Sequence, residues 1–258
     1  MKLRFEAAQL PYSVNGILQF IGPEQSSFWS APFFHFYPDI NQGEFQKIDV
    51  PERRQFLLDY FSEMGERNPG QLERKQEDYS AYWSTQEYHI VTAFQDAYEE
   101  NLADRFNDMV CRITYNPICP RYLSNRSFDI FYQSSPQGAV GLALHEITHF
   151  LWFDLWQQLF RDNPEEYETP HLKWILSEMV VHPILGDERL ASINPYYQNR
   201  MDVYPYFFTM EIEGKCILDT LDEMYHSLDI RRFMEESYYY CRKHEAQIRK
   251  HIQSNEGI

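Results

Sequence analysis

The stretch His145-Glu146-Ile147-Thr148-His149 carries residue types at a spacing that suits metal chemistry. On a helix, positions i and i+4 lie one turn apart on the same face. His145 and His149 can therefore present two imidazole nitrogens to one metal ion. Glu146 follows the first histidine and can stand beside such an ion, near a water bound to it. A carboxylate there takes a proton from that water and passes it to a leaving group. The competing account of the two histidines is a core pair with ordinary hydrogen bonds.

The flanking residues must build the helix that presents them. Ser134-Ser135-Pro136 has the form of a helix start, with a serine N-cap and a proline in the first turn. The residues from Ala139 to Leu144 and from Phe150 to Phe153 are apolar, so the motif is expected inside a buried helix. A His-Glu-His set buried there without partners is costly. Gly138 and Gly141 lower helix propensity. They are expected where another backbone packs closely on the helix.

Catalytic zinc takes three protein ligands and keeps one open position. The third ligand must come from a second element. Pro164-Glu165-Glu166-Tyr167-Glu168 is polar and Pro-led, and it reads as a solvated loop. The stretch from His171 to Pro183 is apolar around Ser177 and Glu178. A carboxylate in that setting needs a partner or a metal. Glu178 is the expected third ligand, on an antiparallel helix that returns after a turn at Asn163-Pro164. The other account of Glu178 is a buried carboxylate paired with an Arg or Lys.

With H-E-x-x-H followed by a glutamate on a later helix, the segment from about Phe128 to His182 resembles the gluzincin group of zinc metallopeptidases, the thermolysin-like enzymes. The resemblance implies zinc held by His145, His149 and Glu178, with Glu146 as general base and acid in peptide hydrolysis. It also implies a zincin-like catalytic part in which a small sheet lies over the HExxH helix. The edge strand of that sheet takes substrate as an added strand, and the 127–133 segment or a neighbour is the expected rail. Many members carry an aspartate four residues after the ligand glutamate, where it orients a zinc histidine. Here that position is His182, which can bond elsewhere or compete as a ligand. Asp154 and Ser177 are candidates for the orienting role. Hydrolysis builds negative charge on the former carbonyl oxygen, which calls for a preorganised donor. Related peptidases draw it from the region after the ligand glutamate, where Tyr196, Tyr197, Tyr204, Tyr206 and His226 are eligible.

The chain has 258 residues, with 43% hydrophobic and 17% aromatic side chains. That suffices for a sizeable core and excludes a disordered chain. The net charge of −16 repels nucleic-acid phosphates and anionic lipid, so neither is an expected partner. The partner implied by the resemblance is a peptide or protein substrate. Cys111, Cys119, Cys216 and Cys241 form no C-x-x-C pair, and they read as thiols of a reducing compartment. The start Met1-Lys2-Leu3-Arg4-Phe5-Glu6 lacks the apolar core of a signal peptide, and no run approaches a membrane span. A cytoplasmic protein is expected.

Along the chain, residues 2–5 read as a strand. A loop-rich stretch follows with Pro11, Gly16, Gly22, Pro23, Pro32 and Pro38, whose aromatic rings are expected to pack on the next lobe. Helices are predicted from Val50 to the Asn68-Pro69-Gly70 turn and over 71–109, then strands over 110–115 and 127–133. A polar connection over 183–205 leads to two closing helices over 207–227 and 230–251. The reading is an α+β, predominantly helical fold, with a helical part over 1–109 and a zincin-like catalytic part over 110–258, expected to form one compact unit. The expected function is zinc-dependent peptide hydrolysis. Its rivals are a catalytically silent, zinc-stabilised interaction protein, in which His182 closes the metal, and a zinc hydrolase of a non-peptide amide.

Overall fold

The structure is a computed structural model that describes residues 1–22, 25, 27–102 and 105–256. Pro23, counted in the expected amino-terminal loop, lies outside the described residues. Strand β1 (Leu3–Ala7) is followed by α1 (Leu10–Phe20), α2 (Ser27–Phe36), α3 (Gln42–Lys47), α4 (Val50–Arg67) and α5 (Gln71–Tyr98). Strands β2 (Met109–Thr114), β3 (Arg121–Tyr122) and β4 (Ser127–Phe131) precede α6 (Pro136–Phe160) and α7 (Leu172–Leu185). Then come α8 (Glu188–Ala191), α9 (Pro195–Gln198), β5 (Glu211–Ile212), β6 (Lys215–Cys216), α10 (Ile217–Ser227), α11 (Ile230–Lys243) and α12 (Glu245–Glu256). This is the expected α+β, predominantly helical class. No helix among the described residues is long and apolar enough to cross a membrane.

The chain divides into two compact units. One holds Lys2–Ser84 and Phe106–Ala139, and the other holds Met1, Thr85–Arg105 and Val140–Ile258. Both draw residues from either side of position 110.

In the first unit the strand order is β1-β2-β4-β3, with β1, β2 and β4 parallel and β3 antiparallel to β4. All five residues of β4 are buried, as suits an inner parallel strand. Of the expected rail, 127–133 or a neighbour, β4 is an inner strand, with β2 on one side and β3 paired at Ser127 and Phe128, while its neighbour β3 is an edge. The stretch read as loop forms α1 to α3. Pro11 sits in the first turn of α1, where its missing N–H costs nothing. Asn41 caps α3, its Oδ1 accepting from Glu44 N–H at 3.0 Å. The aromatic rings pack within their own unit: Tyr37 meets Phe61 edge-on at 5.0 Å, and Phe61 stacks on Tyr115 at 5.0 Å. Helix α5 stops at Tyr98 rather than Met109. Glu99 takes a left-handed φ of 51°, and Met109 is drawn into the sheet beside Leu3.

In the second unit every residue of α7 except His182 is buried, and α10 and α11 pack against it. Trp152 and Trp156 of α6 meet Phe233 and Tyr238 of α11 edge-on, at 5.9 and 5.0 Å. The link from α6 to α7 contains a 3-10 turn, Pro164–Tyr167. Its Glu165 is exposed as expected, but Glu166 joins Asp162 in gripping Lys173, at 2.6 and 2.5 Å. The closing segments are more broken than periodicity implies. Residues 205–216 form a 3-10 turn and the β5–β6 hairpin before α10 begins. Gly214 turns that hairpin at φ 82°. The last predicted helix divides at His244 into α11 and α12.

Candidate metal centre

Helix α6 begins at the expected start and carries the motif, and Ser135 caps it: the Gly138 N–H donates to Ser135 Oγ at 3.0 Å. Gly141, His145 and His149 follow at four-residue spacing and share one face. Thr148 ties the same turn inward. Its hydroxyl donates to Leu144 O at 2.9 Å, and its carbonyl accepts from Tyr98 OH at 3.0 Å. The His149 side chain is fully buried, and that of His145 is 18% exposed. Glu178, 3% exposed, comes from the middle of α7.

Two imidazole nitrogens and the two oxygens of one carboxylate converge. His145 Nε2 lies 3.0 Å from His149 Nε2 and 3.3 Å from Glu178 Oε2, while His149 Nε2 lies 3.4 Å from Glu178 Oε1. Ligands placed tetrahedrally about 2.0–2.1 Å from zinc stand about 3.3 Å apart. The contacts of 3.0 to 3.4 Å are near that spacing, each histidine meeting a different oxygen of Glu178, and one ligand atom from each residue can be chosen so that all three lie within 4.8 Å of one another. Among the described residues this triangle is the one group of His, Cys, Asp or Glu side chains close enough to hold a metal ion.

The tautomer of His145 follows from its other nitrogen. Nδ1 lies 2.9 Å from the main-chain oxygen of Asp202, which only accepts, so Nδ1 carries the hydrogen and Nε2 faces the triangle. Burial by itself holds the His145 pKa down. The hydrogen bond to Glu178, the charges of Glu146 and Glu178 and the Asp202 carbonyl outweigh it and push the value up to about 9. The site thus favours one bound positive charge. Glu146, 6% exposed, is part of that field.

The remaining sequence candidates divide. Asp154 does not serve the histidines: its carboxylate pairs with Arg105 and accepts from Gln158 Nε2 at 2.9 Å. Ser177 donates to Trp174 O at 2.8 Å, back along its own helix. His182 is outside the triangle, with Nδ1 2.7 Å from Asp202 Oδ2. His226 lies on the surface, 68% exposed and 3.5 Å from Asp222. Tyr204 and Tyr206 stack on each other at 5.4 Å, with Tyr204 also beside Trp174 at the start of α7. Tyr197 stacks on His182 at 5.2 Å. Tyr196 reaches the His145 face of α6, since its Cδ2 stands 3.0 Å from where a Gly141 Cβ would lie. Asn194 Oδ1 is closer still, at 2.5 Å, so Gly141 makes room for a capping side chain and a ring.

Asp202 escaped the sequence reading. It lies in the polar connection, yet Met201 precedes it and Val203 and Tyr204 follow it. A carboxylate among apolar neighbours is the same signal that singled out Glu178. The four cysteines stand as thiols. No protein-family model, curated protein or solved structure matches the chain.

Proposed function

We propose that the chain is a zinc-dependent metallopeptidase of the gluzincin kind, with zinc on His145, His149 and Glu178 and Glu146 as general base. The observation that carries this reading is the triangle of two imidazole nitrogens and one carboxylate, 3.0 to 3.4 Å on a side. A zinc ion there supplies a polarised scissile carbonyl and an acidified water. Glu146, buried next to His145, takes the proton of the attacking water and returns it to the leaving amine. Tyr196 is the candidate donor to the developing oxyanion, since its ring lies on the ligand face of α6 one turn before His145. His182 is turned to Asp202, and among the described residues no fourth His, Cys, Asp or Glu joins the triangle. That favours an open fourth position, hence hydrolysis, over a closed site in an interaction protein.

The test begins with the metal content of the purified protein beside His149→Ala and Glu178→Ala. About one zinc per wild-type chain, lost in both variants, is expected. No metal in any sample, even after zinc is added, would sink the reading. Glu146→Gln should then keep its zinc and lose peptide turnover by about two orders of magnitude or more. Turnover of non-peptide amides in place of peptides would change the substrate class and leave the site intact.

A further inference from the structure

Asp202 touches both ligand helices at once. Its main-chain oxygen accepts from His145 Nδ1 of α6, and its carboxylate bonds His182 Nδ1 of α7. His182 follows Glu178 by one helical turn, so the two share a face of α7. The Asp202 side chain has no solvent exposure. Its Oδ1 is also buried and makes no hydrogen bond among the described residues. Among the described residues, the His182 contact at 2.7 Å is therefore the one hydrogen bond that holds this carboxylate. Asp202 itself sits on irregular backbone between α9 and the Pro205–Thr209 turn, outside any helix or strand. The Met201 N–H donates to Tyr196 O at 2.7 Å, and the Tyr197 ring stacks on His182.

A metal-binding histidine holds its orientation through its second nitrogen, and the group at that nitrogen must itself be fixed. A carbonyl on irregular backbone is only as well placed as the loop that carries it. We propose that His182 and Asp202 form a positioning pair for the metal centre. His182 anchors the Asp202 carboxylate, and the anchored main chain keeps the His145 ring aimed at the triangle. The proposal rests on the reading of His145, His149 and Glu178 as metal ligands. It assigns His182 a role distinct from that of a fourth ligand, and Asp202 a role exercised through its carbonyl.

The experiment is a set of zinc dissociation constants, read by competition with a chromophoric chelator. The proteins are wild type, His182→Phe, Asp202→Ala, the double variant and His182→Asn. The metal-free melting temperature and the cobalt(II) absorption spectrum are recorded for each. Each of the first two variants should bind zinc about ten- to a hundredfold more weakly, with an altered cobalt spectrum. The double variant should be no weaker than the worse single, because both changes break one contact. His182→Asn keeps a donor near the same place and should recover binding to within about threefold of wild type. A merely structural role would lower the metal-free melting temperature and leave affinity and spectrum alone, which would overturn the proposal. So would single-variant losses that add in the double. Should His182→Phe fail to fold, Asp202→Ala decides by itself, since it breaks the contact from the other side. A wild type that binds no zinc overturns the metal reading and this role together, and that outcome is distinct from wild-type binding with unaffected variants.

Discussion

Glu178 Oε2 lies 3.3 Å from His145 Nε2, which joins α7 to α6 through a nearly dry contact. The carboxylate is the leading reason that His145 holds a proton, against a burial cost that opposes it. Glu178→Gln keeps the shape of the side chain and removes its charge. The metal-free variant should therefore show a lower His145 pKa than wild type, read by NMR titration of the histidine ring nitrogens. An unmoved midpoint would show that the contact does not set the charge state of the site.

The same shift makes metal-free stability depend on pH. The folded His145 value of about 9 exceeds its ordinary value of 6.5. Proton binding to the native state therefore stabilises it fully below about pH 6.5, and that contribution is lost as pH rises through about 9. The melting temperature of the chelator-treated protein should fall across this window. On the proposed reading zinc takes the place of the proton, so the zinc-loaded protein should not share the fall. Calorimetry in buffers of different ionisation enthalpy should show about one proton released per zinc at pH 7.5. Parallel pH profiles with and without zinc would contradict this account.

The helix that carries the motif was legible because three signals agreed on it: the Ser135 cap, the apolar flanks and the i, i+4 histidines. Glu178 was legible because burial makes a lone carboxylate conspicuous. The amino-terminal helices were hidden by their prolines and glycines. Pro11 marks the start of α1 rather than a break. Met109 carried no mark of its strand, since its place depends on Leu3, far off in sequence. Asp202 acts on His145 through its carbonyl, a group that every residue possesses, so its partner could not be read from residue type.

The link between α6 and α7 offers a test of stability without chemistry. Lys173 is 7% exposed and bonds Asp162 at 2.5 Å and Glu166 at 2.6 Å. Asp162 also accepts from Trp156 Nε1 at 3.0 Å and from Tyr167 OH at 2.9 Å. Lys173→Met keeps the buried stem and deletes the charge. Breaking a fully buried pair costs about 3–5 kcal/mol. Both acids here are partly exposed, so water recovers part of that and a loss of about 1–3 kcal/mol is expected. Urea unfolding measures it. The zinc affinity of the folded fraction should stay within about twofold of wild type, because neither acid touches the triangle.

Gly141→Ala sets helix propensity against packing. Alanine favours the helix by about 1 kcal/mol. Its Cβ would lie 2.5 Å from Asn194 Oδ1, and that oxygen cannot yield cheaply. It accepts from Tyr196 N–H at 3.1 Å and Tyr197 N–H at 3.4 Å, in a residue 1% exposed. Overpacking costs about 1–3 kcal/mol, and a lost cap costs about 1 kcal/mol more. Packing should win, with a net loss of about 1–3 kcal/mol in urea unfolding. The double variant with Asn194→Ala should lose less than the sum of the singles, because the two side chains contest one space. The site gives a second readout. Displacing Asn194 moves Tyr196 without touching His145, His149 or Glu178. Gly141→Ala should therefore keep its zinc and lose peptide turnover. A more stable variant with turnover intact would mean that the Asn194 turn yields easily, and that Tyr196 is not held over α6 for catalysis.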